Sequence, residues 1–364
     1  MRTKPKIRVL VADDSALMRR TLRRLIEADP DLEVLDTARD GEDAVVKART
    51  LRPDVVSMDI NMPKLDGISA LQLIVHEAIC PVVMLSSLTQ RGAVATFESM
   101  ELGAFDFVAK PSGTVSSDLG TVGRELCSKL KAAVASHSFT RLGRRRARGM
   151  EALARERAAD RRGPRDEADS PPASADLMAI AIGISTGGPA TIGEVLPLLP
   201  RDLNAAVFLV QHMPGTFTAS FAQRLDDTCQ LRVEEAAAGT EVRPGHCYVG
   251  RGDYHLTVHR STLGRRLIRT STKPDTLFKP SVDVMMESVL AAFGGERTIG
   301  VLMTGIGDDG ADMMVKIKQA GGYTIAESEE TAVVFGMPRE AIARGGAHAV
   351  LPSWDIAKAI LRRF

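Results

Sequence analysis

The sequence predicts an α/β protein with two domains, each built on a parallel β-sheet. Its 364 residues are enough for two domains of ordinary size. Short apolar runs alternate with amphipathic segments in both halves, as expected when helices cover both faces of a parallel sheet. A segment of changed composition separates the halves, which places the domains at residues 1–136 and 177–364 and a linker at 137–176.

The overall composition excludes several classes of function. A net charge of +1 and an aromatic content of 4% argue against a polycation or a base-stacking surface for nucleic acid. The four cysteines have neither metal-site nor disulfide-framework spacing, so we expect reduced thiols in a cytoplasmic protein. We also expect neither a signal peptide nor a membrane-spanning segment.

Five strands are predicted in the first domain, with helices between them. Ser15 is placed to cap the first helix, whose apolar positions include Leu17 and Leu22, and Asp40-Gly41-Glu42 opens the second helix. The predicted strands are Ile7–Ala12, Leu32–Ala38, Pro53–Met58, Pro81–Leu85 and Ala104–Ala109.

Polar side chains follow four of these strands at their carboxyl ends, the edge at which open α/β sheets bind ligands. Three carboxylates at one edge repel one another unless a cation joins them, and oxygen ligands suit Mg²⁺. A lysine facing an aspartate suits a phosphoryl group carried on that aspartate. The alternative is that these are ordinary polar residues at strand ends, although five of them at the same edge favour a site. They are Asp13, Asp14, Asp59, Ser86 and Lys110.

Residues 7–135 resemble a response-regulator receiver domain. The motifs that carry the resemblance are Asp13-Asp14, Met58-Asp-Ile-Asn-Met-Pro63, Ser86 and Phe107-Val-Ala-Lys-Pro111. It implies a flavodoxin-like sheet and phosphorylation of Asp59 by a histidine kinase. It further implies Mg²⁺ held by Asp13, Asp14, Asp59 and the Asn61 carbonyl, phosphoryl contacts from Ser86 and Lys110, and an aromatic switch at Phe107.

The linker is basic and then rich in proline. Ten arginines face three acids between Arg141 and Arg165. With few apolar residues to bury, we expect a flexible, solvated hinge with at most a short exposed helix at Glu151–Ala159. The alternative is a docking strip for an anionic partner, but no DNA-binding fold signature accompanies it.

The second domain is predicted as a Rossmann-like, doubly wound parallel sheet. Buried strands are predicted at Ala179–Ile184, Ala205–Val210, Ile299–Met303 and Gly321–Glu327. Predicted helices follow at Pro189–Leu199, Thr216–Leu225 and Ala311–Gln319, and others begin after Lys279–Asp283 and after Val333–Pro338.

The turn after the first of these strands carries Ser185 in Gly-x-Ser-x-Gly, the pattern of a nucleophile elbow. A phosphate-cradling glycine turn is the alternative. His212 follows the neighbouring strand, where it can accept the serine proton. Asp308 and Asp309 follow a third strand in a glycine-rich turn that also offers N–H groups to an oxyanion. The order Ser, His, Asp differs from that of α/β-hydrolases and indicates another fold.

Residues 179–350 resemble the catalytic domain of chemotaxis protein-glutamate methylesterases, the CheB family. The most specific motifs are Ser185-Thr-Gly-Gly188, Gln211-His-Met-Pro214 and Met303-Thr-Gly-Ile-Gly-Asp-Asp-Gly310. The resemblance implies Ser185 as nucleophile, His212 as base and Asp309 as orienting acid, with Thr186, Ile306 and Gly307 at the oxyanion. Ile306, Glu327 and the segment 276–279 depart from the family's usual pattern.

The resemblance implies hydrolysis of glutamate methyl esters on the cytoplasmic domains of chemoreceptors. It also implies that the reaction takes place at receptor arrays by the inner membrane and is controlled by the receiver domain. Glutamine deamidation at the same site is also found in the family. No metal is expected to be needed for the hydrolysis. We expect Gly187 and Gly188 to leave room for a substrate helix. The alternatives are a phosphorylation-controlled scaffold with an unused esterase site and, less favoured, a DNA-binding response regulator.

Overall fold

The computed structural model describes residues 5–110, 116–136 and 176–364, and these form two compact units. Pro111 of the receiver motif lies outside the described residues, as do the predicted helix at 151–159 and all but one residue of the predicted linker. Within the described ranges, no helix is both long and apolar enough to cross a membrane.

The first unit is a five-stranded parallel sheet with the order β2-β1-β3-β4-β5. Five helices connect and follow its strands, so the α/β prediction for this half is confirmed. The strands are β1 Ile7–Ala12, β2 Leu32–Ala38, β3 Val55–Asp59, β4 Val82–Ser86 and β5 Asp106–Ala109. The helices are α1 Ala16–Glu27, α2 Gly41–Leu51, α3 Gly67–His76, α4 Gln90–Glu101 and α5 Ser116–Ala135.

Side-chain caps start the first two helices as the sequence predicts. The Met18 N–H donates to Ser15 Oγ and the Asp43 N–H donates to Asp40 Oδ1, so each cap satisfies a donor that the first turn leaves free. Of the apolar positions of α1, Leu22 and Ile26 are fully buried, whereas Leu17 in its first turn is 64% exposed.

The second unit is a seven-stranded sheet with the order β14-β13-β12-β6-β7-β9-β8, and all of its strand pairs are parallel. A separate antiparallel hairpin, β10–β11, packs beside it. The strands are β6 Met178–Ile184, β7 Ala205–Gln211, β8 Arg232–Glu235, β9 His246–Val249, β10 His255–Arg260, β11 Arg266–Ser271, β12 Thr298–Leu302, β13 Tyr323–Glu327 and β14 Ala349–Leu351. The helices are α6 Gly188–Thr191, α7 Gly215–Thr228, α8 Val282–Phe293, α9 Ala311–Gln319, α10 Met337–Ala343 and α11 Ser353–Leu361.

The predicted helix at Pro189–Leu199 is broken into pieces. Only α6 is α-helical, and two 3₁₀ turns follow at Ile192–Glu194 and Leu196–Leu198. Pro197 has no N–H to donate to a carbonyl four residues earlier, and Gly193 weakens the helix before it. The i→i+3 bonds of 3₁₀ turns tolerate these two residues better than a continuous α-helix does.

Apolar packing around the central strands fixes the sheet. Every residue of β7 is buried, and Phe208 at its centre stacks on Tyr248 of β9, with ring centroids 5.8 Å apart. The Phe293 ring of α8 meets Phe208 edge-on at 5.9 Å. Strands buried on both faces explain why these segments appear as continuous apolar runs in the sequence.

Both sheets reverse their strand order at one point. In the first unit the reversal lies between β1 and β3, and in the second between β6 and β12. The loops that leave such a pair of strands diverge to opposite sides, which opens a crevice at the carboxyl edge of the sheet. Asp13 and Asp59 border the first crevice, whereas Ser185 and the loop 304–310 border the second.

We predict that Phe208→Ala lowers the free energy of unfolding of the second unit by about 3–5 kcal/mol, because it leaves a cavity among the rings of Tyr248 and Phe293. Urea unfolding followed by fluorescence measures this unit selectively, since Trp354 in α11 is the single tryptophan. Leu263→Ala is the control: Leu263 is 82% exposed, and a shift beyond about 0.5 kcal/mol there would contradict the reasoning.

Candidate active site and acidic cluster

The backbone of Ser185 is fixed on all sides while its hydroxyl is free. Its N–H donates to the Thr304 carbonyl at 2.9 Å, and its carbonyl accepts from the Gly188 N–H and from Gln211 Nε2. The hydroxyl makes no hydrogen bond within the described residues, and the residue is only 8% exposed. Among the described residues no hydrogen bond joins this Oγ to His212, so the backbone of Ser185 is held while its hydroxyl is left available.

Glycine is needed around Ser185 because the chain itself approaches closely. A Cβ on Gly187, whose φ is +76°, would lie 2.4 Å from Val333 Cβ, and one on Gly188 would lie 2.2 Å from Gln211 Oε1. A Cβ on Gly305 would lie 2.7 Å from that of Ser185. The expectation that Gly187 and Gly188 leave room for a substrate helix is therefore wrong, because Val333 of the loop before α10 and Gln211 of β7 fill that space.

His212 comes directly after β7 and is tied to the acid predicted for it. Its Nε2 lies 2.8 Å from Asp309 Oδ2, and its ring stacks on Phe278 with centroids 4.1 Å apart and planes 6° from parallel. An ionised carboxylate only accepts, so the hydrogen of the neutral ring lies on Nε2. Nδ1, which is buried and has no hydrogen-bond partner among the residues that the structure describes, is then the nitrogen that can take a proton.

Asp309 receives four hydrogen bonds. His212 Nε2 and the Val282 N–H donate to Oδ2, while Ser281 Oγ and the Asp283 N–H donate to Oδ1. Two of these donors are N–H groups at the start of α8, where the helix dipole also favours negative charge. Burial raises the pKa of Asp309, but the bonds to His212 and to the α8 backbone outweigh it and hold the pKa below its usual range.

Asp308 points away from this centre. It is 62% exposed at its side chain and pairs with Arg344, which also holds Asp312 at 2.7 Å. The structure therefore places one of the two adjacent aspartates on the histidine and the other on the surface.

Unpaired N–H groups lie in the same loop as Asp309. The backbone N–H groups of Ile306 and Gly307 have no acceptor among the described residues, and Gly307 has a φ of +91°. Gly305 beside them is anchored at both ends, since its N–H donates to Val334 and its carbonyl accepts from Met337. An anchored turn with free N–H groups is suited to hold a developing oxyanion. Thr186 is buried beside Ser185.

Glu327 ends β13, the strand next to β12, and is fully buried. Its Oε2 accepts the Thr304 N–H at 2.8 Å, and the side chain of Thr331 also favours the charged form and so lowers the pKa of this carboxyl. Thr304 Oγ1 in turn donates to the Thr186 carbonyl at 2.8 Å. Burial, helped by the charge of Glu194, raises the pKa of Glu327 to about 7, although the Thr304 N–H favours the carboxylate.

In the first unit the predicted carboxylates do meet. Asp13, Asp14 and Asp59, named here the acidic cluster, each bring one oxygen within 4.8 Å of the others. Lys110 Nζ lies 2.8 Å from Asp13 Oδ2 and 2.7 Å from Asp59 Oδ2. Burial raises the pKa of Asp59 although Lys110 opposes it. Converging carboxylate oxygens, one of them exposed, fit a hard divalent cation.

Asn61 lies at the acidic cluster, since its N–H donates to Asp59 Oδ1 at 3.3 Å, whereas two other predicted residues, Ser86 and Phe107, face away from it. Ser86 Oγ donates to the Gly92 carbonyl at 3.2 Å and lies 2.7 Å from Thr96 Oγ1, whose own hydrogen goes to the same carbonyl at 2.6 Å; both residues are on α4. Phe107 is 3% exposed and meets the Phe97 ring edge-on at 6.3 Å. In this structure neither side chain is engaged with Asp59.

Sequence reasoning missed several side chains that build the second site. Ser281 was recognisable as a residue that opens a helix, but nothing in the sequence ties it to Asp309, 28 positions away. Phe278 was noted only as part of a departure from a family pattern. Gln211 was part of a predicted motif but was given no role. Its Nε2 donates to the Ser185 carbonyl at 3.0 Å.

Comparison with known proteins finds matches in both units. Residues 180–360 match the family model described as CheB methylesterase, and residues 9–116 match the response regulator receiver domain. A protein-glutamate methylesterase/protein-glutamine glutaminase of Syntrophomonas wolfei is 57% identical over 98% of this chain and 99% of its own. One from Caldanaerobacter subterraneus is 49% identical over 99% and 97%. The crystal structure of the Thermotoga maritima CheB methylesterase catalytic domain is 38% identical, with a TM-score of 0.50 over 51% of this chain and 98% of that one.

We predict that Glu327 makes the second unit less stable as the pH rises. Below about pH 4.5 the carboxyl is protonated in both folded and unfolded chains. Between about pH 4.5 and 7 only the unfolded chain loses its proton, so stability falls by about 3 kcal/mol and stays low above pH 7. Glu327→Gln keeps an acceptor for the Thr304 N–H and removes this fall.

Urea unfolding followed by Trp354 fluorescence at pH 5 and pH 8 measures the difference. Glu327→Gln should gain relative to the wild type at pH 8 and not at pH 5. Glu329→Gln, on the exposed loop that follows, deletes the same charge. Its stability should depend on pH in the same way as that of the wild type. Parallel pH profiles for Glu327→Gln and the wild type would show that Glu327 is not the group responsible.

Proposed function

The chain belongs to the CheB methylesterase family, and on that premise we propose that it hydrolyses γ-methyl esters of glutamate residues in chemoreceptor cytoplasmic domains. We propose that it also deamidates glutamine residues there, as the names of its whole-length relatives state for those proteins. The observation that carries the proposal is the buried His212, whose Nε2 is committed to Asp309 and whose Nδ1 is free.

In the first step His212 acts as general base. The Ser185 hydroxyl gives its proton to His212 Nδ1 as Oγ attacks the ester carbonyl carbon. Asp309 does not take a proton in this step: its lowered pKa keeps it ionised, so it stabilises the imidazolium and holds the ring. Phe278, stacked on the imidazole, limits rotation of the ring.

The tetrahedral oxyanion forms within reach of the loop that follows β12. We assign the Ile306 and Gly307 N–H groups, with Thr186, to its stabilisation. Such donors act strongly because they are already in place before charge develops, and the loss of one donor typically costs 10²–10³ in rate. The imidazolium then protonates the leaving methoxide, and methanol departs from an acyl-enzyme.

In the second half-reaction water replaces the leaving alcohol. His212 removes a proton from water, hydroxide adds to the acyl carbon, and collapse returns the proton to Ser185 Oγ. The product is a glutamate carboxylate. An amide passes through the same intermediate with ammonia as leaving group, so one site serves both the esterase and the glutaminase reaction.

Control of this chemistry is assigned to the first unit. We propose that a histidine kinase supplies a phosphoryl group to Asp59 and that phosphorylation relieves a restraint of the receiver domain on the catalytic domain. Lys110, already on Asp59, and Ser86, after turning from α4, would bind the phosphoryl oxygens, while Phe107 follows as the aromatic switch.

Mg²⁺ suits the acidic cluster, where Asp13, Asp14 and Asp59 would hold it with the Asn61 carbonyl. A divalent ion there neutralises charge on the incoming phosphoryl group. A substrate in receptor cytoplasmic domains places the enzyme in the cytoplasm, at receptor arrays by the inner membrane.

We predict that Ser185→Ala lowers methanol release from methylated receptor membranes by at least about 10³-fold, because the nucleophile is removed. Uptake of phosphate by Asp59 from acetyl phosphate should be unchanged. Ser220→Ala, a serine on α7, is the control. Residual release near the wild-type rate would remove Ser185 from this role, and a wild-type chain that releases no methanol would favour a scaffold.

We predict that acetyl phosphate with Mg²⁺ raises the wild-type rate of methanol release about 5-fold or more, a typical span for coupling between two sites. Asp59→Asn should keep the basal rate and lose the response. Asp31→Asn, an exposed carboxylate of the same unit, should respond like the wild type. Activation that survives in Asp59→Asn would argue against control through this residue.

A further inference from the structure

The β10–β11 hairpin carries a concentrated positive charge. Residues 254–274 contain five lysines and arginines, two histidines and no acidic residue, in a chain whose net charge is only +1. The basic residues are Arg260, Arg265, Arg266, Arg269 and Lys273.

Most of this charge is exposed, and only Lys273 has an acidic neighbour close in sequence, Asp275. Arg260, Arg269 and Lys273 are exposed, and none of the three forms an ion pair with any residue that the structure describes. Arg265 pairs with Glu241 at 3.6 Å, and Arg266 lies over the Phe293 ring. Exposed charges of one sign without partners indicate a surface for an oppositely charged partner.

The hairpin begins at the catalytic centre. At its open end His255 Nδ1 accepts the Ser281 N–H at 3.2 Å, and Ser281 itself donates to Asp309. The other ring nitrogen of His255 lies 2.8 Å from the Pro274 carbonyl, next to Lys273. The buried Leu256 and Val258 hold the hairpin against the core, so its position relative to the triad is fixed.

An open groove of about 520 Å³ runs along this hairpin, lined among others by Thr257, His259, Arg269, Ser271 and Lys273. Each strand has six residues and spans about 20 Å at about 3.3 Å per residue. That length matches between three and four turns of an α-helix.

We propose that the β10–β11 hairpin binds the acidic surface of the helical protein substrate beside the glutamyl group being hydrolysed. This inference rests on the proposed function. Each turnover converts a neutral ester or amide into a carboxylate, so a substrate segment with several sites becomes more acidic as it is processed. A basic surface fixed to the triad attracts such a segment and increases its affinity and its rate of association.

The test compares two charge reversals of equal size in the full chain. One combines Arg260→Glu, Arg269→Glu and Lys273→Glu on the hairpin. The other combines Lys316→Glu, Lys358→Glu and Arg362→Glu, exposed residues of α9, α11 and the C-terminus. Each is assayed at 50 and 500 mM salt on a methylated receptor cytoplasmic fragment and on N-acetylglutamate γ-methyl ester.

The hairpin reversal should raise KM for the receptor fragment about 10-fold or more at 50 mM salt and leave kcat unchanged. At 500 mM salt the KM of the variant should approach that of the wild type, because salt screens exposed charges. The small ester, which lacks the acidic segment, should be hydrolysed at the wild-type kcat/KM. The control reversal should change each value by less than about twofold. Alanine at the same three hairpin positions should move KM in the same direction by less, and it replaces the reversal if that variant does not fold.

An unchanged KM for the receptor fragment, or equal changes in both reversals, would overturn the inference. So would a parallel loss on the small ester, because the hairpin would then support the catalytic centre and not the substrate. Hairpin-dependent binding to anionic phosphatidylglycerol vesicles with an unchanged receptor KM would assign the surface to the membrane instead. Failure of Ser185→Ala to stop methanol release would refute the proposed function and is separate from all of these results.

Discussion

The carboxylate of Asp309 is the interaction on which the catalytic unit depends. It joins three parts of the chain that are distant in sequence: the loop after β12, the end of β7 through His212, and the start of α8 through Ser281 and two backbone N–H groups. A buried carboxylate is costly unless its acceptor sites are filled. Here four donors fill them, so the group that orients the histidine also closes the fold around it.

The two units place their candidate functional groups at the same kind of position in the sheet but differ in the charge around them. Each places its reactive carboxylate or hydroxyl at the reversal point of a parallel sheet, where diverging loops leave a crevice. In the first unit three carboxylates converge and Lys110 contacts two of them, which leaves an acidic cluster suited to a cation. In the second unit the carboxylate of Asp309 is instead held by four fixed hydrogen-bond donors, one of which is His212.

Local signals in the sequence predicted the framework well. The strand bounds of β1 and β2 match the prediction, since periodicity and strand-end polarity are properties of neighbouring residues. The contact between His212 and Asp309 was predictable because parallel strands bring their carboxyl ends to one edge. The prediction of one continuous helix after Ser185 was wrong because Pro197 lacks the backbone N–H that such a helix would need at this position. Ser281, Phe278 and the space beside Gly187 were missed because they depend on contacts between segments far apart in the chain.

In the switch proposed for the first unit, turning Ser86 away from α4 costs little free energy. Ser86 and Thr96 share the Gly92 carbonyl as a buried acceptor, and Thr96 Oγ1 lies only 2.6 Å from it. When Ser86 turns toward a phosphoryl group, Thr96 still donates to that carbonyl, and no buried polar group is left unpaired. The loss is then about one neutral hydrogen bond, ~1 kcal/mol, while a bond to a charged phosphoryl oxygen contributes about 1.5–3 kcal/mol. Because this balance favours the turned state only when the phosphoryl group is present, Ser86 can report phosphorylation to α4 and return when it ends.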